Sequence, residues 1–259
     1  MKTELKIMSF NMRLDKANDG ENNFINRKER IIEFINAEKA DIIGFQEITP
    51  TMRSWLVETF SDYYMVGVGR AADYSDETAL IAFLKKDMAL LSCDTLMLSS
   101  TPHIFGSRYD GSDQSDCPRE YVRALLKHKD IAEPFYIYNV HTDHLGEISR
   151  ILASNQLMQD ITSHNKKFFL TGDFNATPDS PEIKMLIKCK SRTIVDATLS
   201  LSGTFHDFGK IEKEKRPKID YIFIGEDIEV LNSVRVEDNP KDNTPYISDH
   251  NPIYIIAKL

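Results

Sequence analysis

The residues best equipped for chemistry stand where apolar runs stop. Asn11 follows Leu5–Phe10, Gln46-Glu47 follows Asp41–Phe45, His141 follows Phe135–Val140, and Asp173 with Asn175 follows Phe168–Leu170. Asp220 opens a run that reaches Ile224, and Asp249-His250 precedes a final run, Ile253–Ala257. If these runs are strands whose ends share one edge, the polar groups converge in a single cleft on a rigid scaffold. Glu47, Asn11 and Asp249 offer hard oxygen ligands, which suit Mg²⁺ or Mn²⁺. Two histidines unaccompanied by thiolates suit proton transfer near neutrality. No serine or cysteine stands out as a nucleophile, so the economical chemistry is attack by water on phosphorus. A cation would offset the developing charge, and a side chain would activate or orient the water.

These groups need strands and helices to hold them. The runs Leu5–Phe10, Asp41–Phe45, Tyr63–Val68, Ala79–Leu84, Tyr121–Lys127, Phe135–Val140, Phe168–Leu170, Ile219–Ile224 and Ile253–Ala257 are rich in Ile, Val, Tyr and Phe and read as strands. Ile42-Ile43 and Phe168-Phe169-Leu170 are apolar on both faces, so those strands must be covered on both sides. This predicts an α/β fold with helices outside two stacked sheets. Asn26 followed by Glu29 resembles a capping box ahead of an apolar face of Ile31, Phe34 and Ile35. Ile148, Ile151, Leu152, Met158 and Ile161 mark a second amphipathic helix, and Ser180-Pro181 marks the start of a third, through Leu186. The polar, turn-rich stretch Thr101–Pro118 reads as a long surface loop. With no internal repeat and no low-complexity linker visible, residues 1–259 read as one domain.

Composition narrows the class. The 259 residues are 41% hydrophobic and 28% charged, an ordinary balance for a globular chain with a real core. Lys plus Arg number 32 against 40 acids, a formal charge of -8, which disfavours a long nucleic-acid partner. Cys93, Cys117 and Cys189 are scattered and odd in number, so neither a disulfide framework nor a thiolate zinc site is expected. Lys2, Glu4 and Lys6 interrupt the first apolar run, which reads as a strand and not a signal peptide. No membrane-length apolar stretch is present, and a cytoplasmic location is expected.

Six short motifs occur in order: Met8-Ser9-Phe10-Asn11-Met12-Arg13, Gln46-Glu47, Asn139-Val140-His141, Gly172-Asp173-Phe174-Asn175-Ala176, Ile219-Asp220-Tyr221-Ile222 and Ser248-Asp249-His250-Asn251-Pro252. Together they resemble the motifs of the endonuclease/exonuclease/phosphatase superfamily, from residue 8 to residue 252. The resemblance implies a deoxyribonuclease I-like four-layer sandwich of two mostly antiparallel sheets flanked by helices. It also implies a divalent-metal-dependent phosphoesterase using Mg²⁺ or Mn²⁺. Glu47 is then the principal metal ligand, supported by Asn11. Asp173 and Asn175 hold the phosphate and the attacking water, and His141 contacts the phosphate or assists the leaving group. Asp249 and His250 close the site, with His250 as base or phosphate ligand and Asp220 orienting its ring. Glu77, in a looser motif, resembles the acid that pairs with the first histidine.

The run His141-Thr142-Asp143-His144-Leu145-Gly146, followed by Arg150, resembles bacterial phosphohydrolase-like members, as does the substrate-side loop Thr204-Phe205-His206. Asp143, His206 and Arg119 are accordingly candidate substrate contacts, with Arg119 either reaching the site or pinning a loop. His103, His128 and His164 read as ordinary loop or surface residues. Lys210, Lys213, Lys215, Arg216 and Lys218 form one basic cluster, diluted by Glu212 and Glu214 and placed to steer a phosphorylated substrate if unpaired. The acidic balance and the bacterial-type run favour a small phosphate ester, such as a sugar phosphate, over nucleic acid. A nuclease sharing the same site is the alternative. A catalytically dead binding protein is opposed by the intact Glu47, Asp173, Asp220, Asp249 and His250.

Overall fold

Alternation along the first strand, β1 (Glu4–Asn11), explains the layers. Leu5 and Ile7 enter one hydrophobic core, whereas Met8 and Phe10 enter another. A strand with two apolar faces must be covered on both. The computed structural model describes residues 3–241 and 244–259 and shows how this is done. The strands are β2 (Ile42–Gln46), β3 (Tyr63–Val66), β4 (Ile81–Leu84), β5 (Met88–Met97), β6 (Glu120–His128), β7 (Phe135–His141), β8 (Phe168–Asp173), β9 (Ile194–Asp196), β10 (Asp220–Gly225), β11 (Glu229–Arg235) and β12 (Ile253–Lys258). One sheet runs β11-β12-β1-β2-β4-β3 and the other β5-β6-β7-β8-β10-β9. Their facing sides share a core that includes Ile7, Ile42 and Ile255 from the first sheet and Ile137, Phe169 and Ile222 from the second. Helices α1 (Phe24–Glu38) and α2 (Pro50–Thr59) cover the first sheet's outer face. Helices α3 (Glu147–Thr162) and α4 (Pro181–Ile187) cover that of the second. This is the expected four-layer α/β sandwich. Among the described residues, no helix is long and apolar enough to cross a membrane.

The two sheets follow one plan. Among the described residues each contains a single parallel pair, β1–β2 bridged by α1 and β7–β8 bridged by α3, and every other pairing is antiparallel. No residue repeat accompanies this, so the sequence carries no trace of it. A buried polar knot ties the sheets together. Asn139 Nδ2 donates to the Phe45 and Leu80 carbonyls at 2.7 and 3.0 Å, and its Oδ1 accepts from Gln46 Nε2 at 2.7 Å. Gly44 is required there, because a Cβ would fall 2.1 Å from Thr171 Oγ1.

All of the expected strands are present, but β5, β9 and β11 were not anticipated. β9 has only three residues. β5 and β11 are sheet edges whose registers shift near Leu91 and Leu231, breaking the two-residue alternation by which strands are read. The helix starts also differ. α1 begins at Phe24, not after Asn26, because Arg27 anchors the turn by donating to the Asn22, Met12, Arg13 and Ile247 carbonyls. The Ser180 hydroxyl accepts from Thr177 N and does not cap α4. The unanticipated α2 carries the true cap, Thr49 Oγ1 accepting from Met52 N ahead of Pro50. On α3 the buried face uses Ser149, Ala153, Ser154, Leu157 and Ile161, leaving Ile148 and Leu152 exposed.

Candidate active site

Register explains why the polar groups meet. In the parallel pair β1–β2, Asn11 lies opposite Gln46, and in β7–β8, His141 lies opposite Asp173. Antiparallel β10 starts at Asp220, opposite the same Asp173. β12 begins at Ile253 opposite Ser9, so the Ser248–Asn251 turn lies over the end of β1. Ser248 Oγ donates to the Asn11 carbonyl at 2.6 Å. These ends line a cleft of about 380 Å³ that includes Glu47, His141, Asp173, Asn175, Asp249 and His250. A roomier hollow of about 590 Å³ lies beyond the 69–78 loop, but no histidine lines it.

Oxygen donors gather on one wall. Asn11 Nδ2 bridges Glu47 Oε1 at 3.0 Å and Asp173 Oδ2 at 2.9 Å, and Leu14 N donates to Glu47 Oε2 at 2.9 Å. Glu47 and Asn175 hold left-handed backbone conformations, with φ of 63° and 47°. A glutamate there is strained, a cost often found where a side chain must be aimed. Burial, together with the nearby Glu47 charge, raises the Asp249 pKa. Glu47 and Asp249 are buried, hard carboxylate donors that fit a divalent cation, while Asn11 turns its amide nitrogen to the acids and its Oδ1 accepts from Arg13 N at 2.9 Å.

Imidazoles occupy the other wall. His250 Nδ1 lies 2.9 Å from Asp220 Oδ2, and its Nε2 lies 3.7 Å from Asp173 Oδ2. Burial alone would depress the His250 pKa, but the Asp220 and Asp173 carboxylates carry it up to about 10. It is therefore an imidazolium at neutral pH. His141 Nε2 lies 3.6 Å from Asp173, and burial with Arg119 and Arg70 nearby keeps this ring neutral. Burial pushes Asp173 up to about 7 against the opposing pull of His250. Asp173, Asp220 and His250 present donor atoms within 4.8 Å of one another, a spacing that also admits a metal ion.

Several expected residues sit elsewhere. Glu77 lines the cleft but accepts from Arg70 Nη2 at 2.7 Å, so Arg70 takes the place expected of His141. Asp143 is buried as a loop organiser, accepting from Ser115 N, Leu145 N and Gly146 N, and its neighbour His144 faces the cleft instead. His206 points away, its Nδ1 accepting from Gly209 N, while Phe205 lines the cleft beside His250. Arg119 does reach the cleft wall. Of the other histidines, His128 is buried and His164 stacks on Tyr138. The basic cluster is ion-paired: Lys210 pairs with Asp207, Lys213 and Arg216 share Glu237, Lys215 pairs with Glu212, and Lys218 with Asp196. Arg13 and Arg70 also line the cleft, and nothing in the residues flanking Arg70 distinguishes it as a site residue.

Paired acids set against imidazoles, on this two-sheet scaffold, mark a phosphoester hydrolase. The Endonuclease/Exonuclease/phosphatase family profile matches residues 8–250, and the chain belongs to that family. A family protein from Bacteroides vulgatus is 30% identical, with a TM-score of 0.91 and 100% of both chains covered. A mannosyl-6-phosphatase from Bacteroides thetaiotaomicron is 23% identical, with a TM-score of 0.86, covering 98% of this chain and 99% of its own. An uncharacterised protein of Acanthamoeba polyphaga mimivirus is 26% identical over 246 residues, 89% of this chain and 91% of its own length.

Proposed function

We propose that this protein hydrolyses a small phosphate monoester, such as a sugar phosphate, with Mg²⁺ or Mn²⁺ held by Glu47, Asn11 and Asp249. The observation that carries the reading is the cleft itself, about 380 Å³ with an acidic wall facing an imidazolium–carboxylate pair. When bound, the cation supplies Lewis-acid charge to the phosphoryl oxygens. Asp173, poised near neutrality and fixed by Asn11 Nδ2 and Asn175 N, accepts the proton of the attacking water. Asn175, which lines the cleft with its Nδ2 donating to the Thr142 carbonyl at 3.2 Å, positions that water. His250, charged and oriented by Asp220, donates through Nε2 to a phosphate oxygen as charge develops. His141 stays neutral and presents a hydrogen bond beside the leaving group. The ion pairing of the 210–218 cations weakens the basic track a long nucleic acid would use, which favours a small ester.

The test is metal-dependent phosphate release from a sugar-phosphate panel, run beside cleavage of an abasic-site duplex, with EDTA and His250→Ala controls. Release from a sugar phosphate with the duplex intact is the expected result. Cleavage of the duplex alone would make the protein a nuclease.

A further inference from the structure

We propose that Arg119 and His144, backed by Arg70, form the subsite that makes this cleft select phosphate monoesters over diesters. The inference rests on the phosphoesterase reading above. Arg119 is 4% exposed, yet its Nε has no hydrogen-bond partner. Its one ion-pair contact among the described residues, to Asp143, is long at 3.7 Å. Asp143 is already occupied by the Ser115, Leu145 and Gly146 amides. Nε is thus sealed beside Asp143 and Nη2 is committed to His144, which leaves Nη1 as the donor this cleft-lining guanidinium offers to an anion.

The second donor follows from hydrogen-bond direction. Arg119 Nη2 lies 2.9 Å from His144 Nδ1. A guanidinium can only donate, so Nδ1 accepts and the ring proton belongs on Nε2. His144 is exposed at the cleft rim, where that N–H edge is free for a ligand. Arg70, clamped by Asp76 at 3.0 Å and Glu77 at 2.7 Å, adds a fixed cation to the same wall. Arg119, Arg70 and His144 line the same cleft as His141. A monoester brings a third nonbridging oxygen and a second negative charge to these donors. In a diester that oxygen carries carbon, and Arg119 and His144 lose their acceptor.

The test compares kcat/KM for p-nitrophenyl phosphate and bis(p-nitrophenyl) phosphate at saturating Mg²⁺. The variants are His144→Ala, His144→Gln and Arg119→Lys. The monoester-to-diester ratio is expected to fall about 10–100-fold in His144→Ala, the worth of a hydrogen bond to a charged group. His144→Gln should recover much of it, since its amide can accept from Arg119 and still donate. Arg119→Lys should lower the ratio as well, because the planar fork is gone. A ratio within about twofold of wild type in both His144→Ala and Arg119→Lys overturns the proposal. Should the wild type turn over neither ester, the functional reading fails by itself. Calorimetric binding of inorganic phosphate with Mg²⁺ then decides the subsite. Binding weakened about tenfold in His144→Ala supports it, and equal binding rejects it.

Discussion

Replacing Asp220 by Asn tests the electrostatic core of the site. The amide oxygen can still accept from His250 Nδ1, so the geometry is kept while the charge goes. Unit charges 2.9 Å apart attract by about 6 kcal/mol at an effective dielectric near 20. That is a ceiling of roughly 4 pKa units. Without it, only Asp173 and Asp249 oppose burial, and His250 falls from about 10 by as much as that ceiling. The sign follows directly. His250 acts as a charged donor, so on the alkaline side wild-type activity is lost as pH rises through the high imidazolium pKa. In the variant that falling limb moves toward acid pH. The rising limb belongs to Asp173, which must lose its proton near pH 7, and a bound cation shifts both limbs downward. At pH 7.5 we expect kcat for p-nitrophenyl phosphate to fall about 10²–10⁴-fold, the usual cost of losing a positioned acid or base. The His250 Cε1–H signal, followed by NMR, gives the pKa directly. Activity within about tenfold of wild type, or an unmoved His250 titration in a folded variant, would refute the reasoning.

Glu47→Gln is expected to raise the Mg²⁺ concentration for half-maximal activity by about 10–100-fold or more, and EDTA should abolish turnover of the wild type. Metal titrations of both proteins check this. Asn139→Leu should orphan the Phe45 and Leu80 carbonyls and cost about 2–4 kcal/mol, measured by urea unfolding. A loss below about 1 kcal/mol would deny the knot its role. His164 is held down to about 4 by burial and the neighbouring Arg192, below an unfolded value of about 6.5. Its folded form resists protonation, so its stabilising effect is complete above the unfolded value and is lost as pH falls toward 4. Thermal melts across this window should show a shallower acid decline in His164→Gln, and parallel curves would reject the assignment.

Much of the cleft is legible in the sequence because Asn11, Glu47, His141, Asp173 and Asp249 each sit beside an apolar run, where strand periodicity can be read. What stays hidden depends on side-chain choices made in three dimensions. Glu77 stands out as an acid near a strand, but its partner is Arg70, seven positions earlier in a loop with no period. Asp143, His144, Phe205 and His206 are adjacent pairs in which one residue faces the cleft and the other the interior. Composition cannot tell which, because local hydrogen bonds to Ser115, Gly146 and Gly209 decide it. The edge strands are similarly opaque, since solvent on one side and a register shift remove the alternation that marks a strand.

Because the cleft is assembled from the ends of both sheets, the filling between the sheets acts as a gauge block for the reaction. Glu47 and Asn11 move with the first sheet, and His141, Asp173 and Asp220 with the second. Side chains such as Ile7, Ile137 and Phe169 sit between them as spacers. Their thickness sets how far Glu47, Asn11 and the Asp249-His250 turn stand from His141, Asp173 and Asp220. A spacer changed by one methylene can leave the fold intact and still open the gap by a fraction of an ångström. Catalytic geometry is steeper in distance than packing energy is, so such a chain would fold well and turn over poorly.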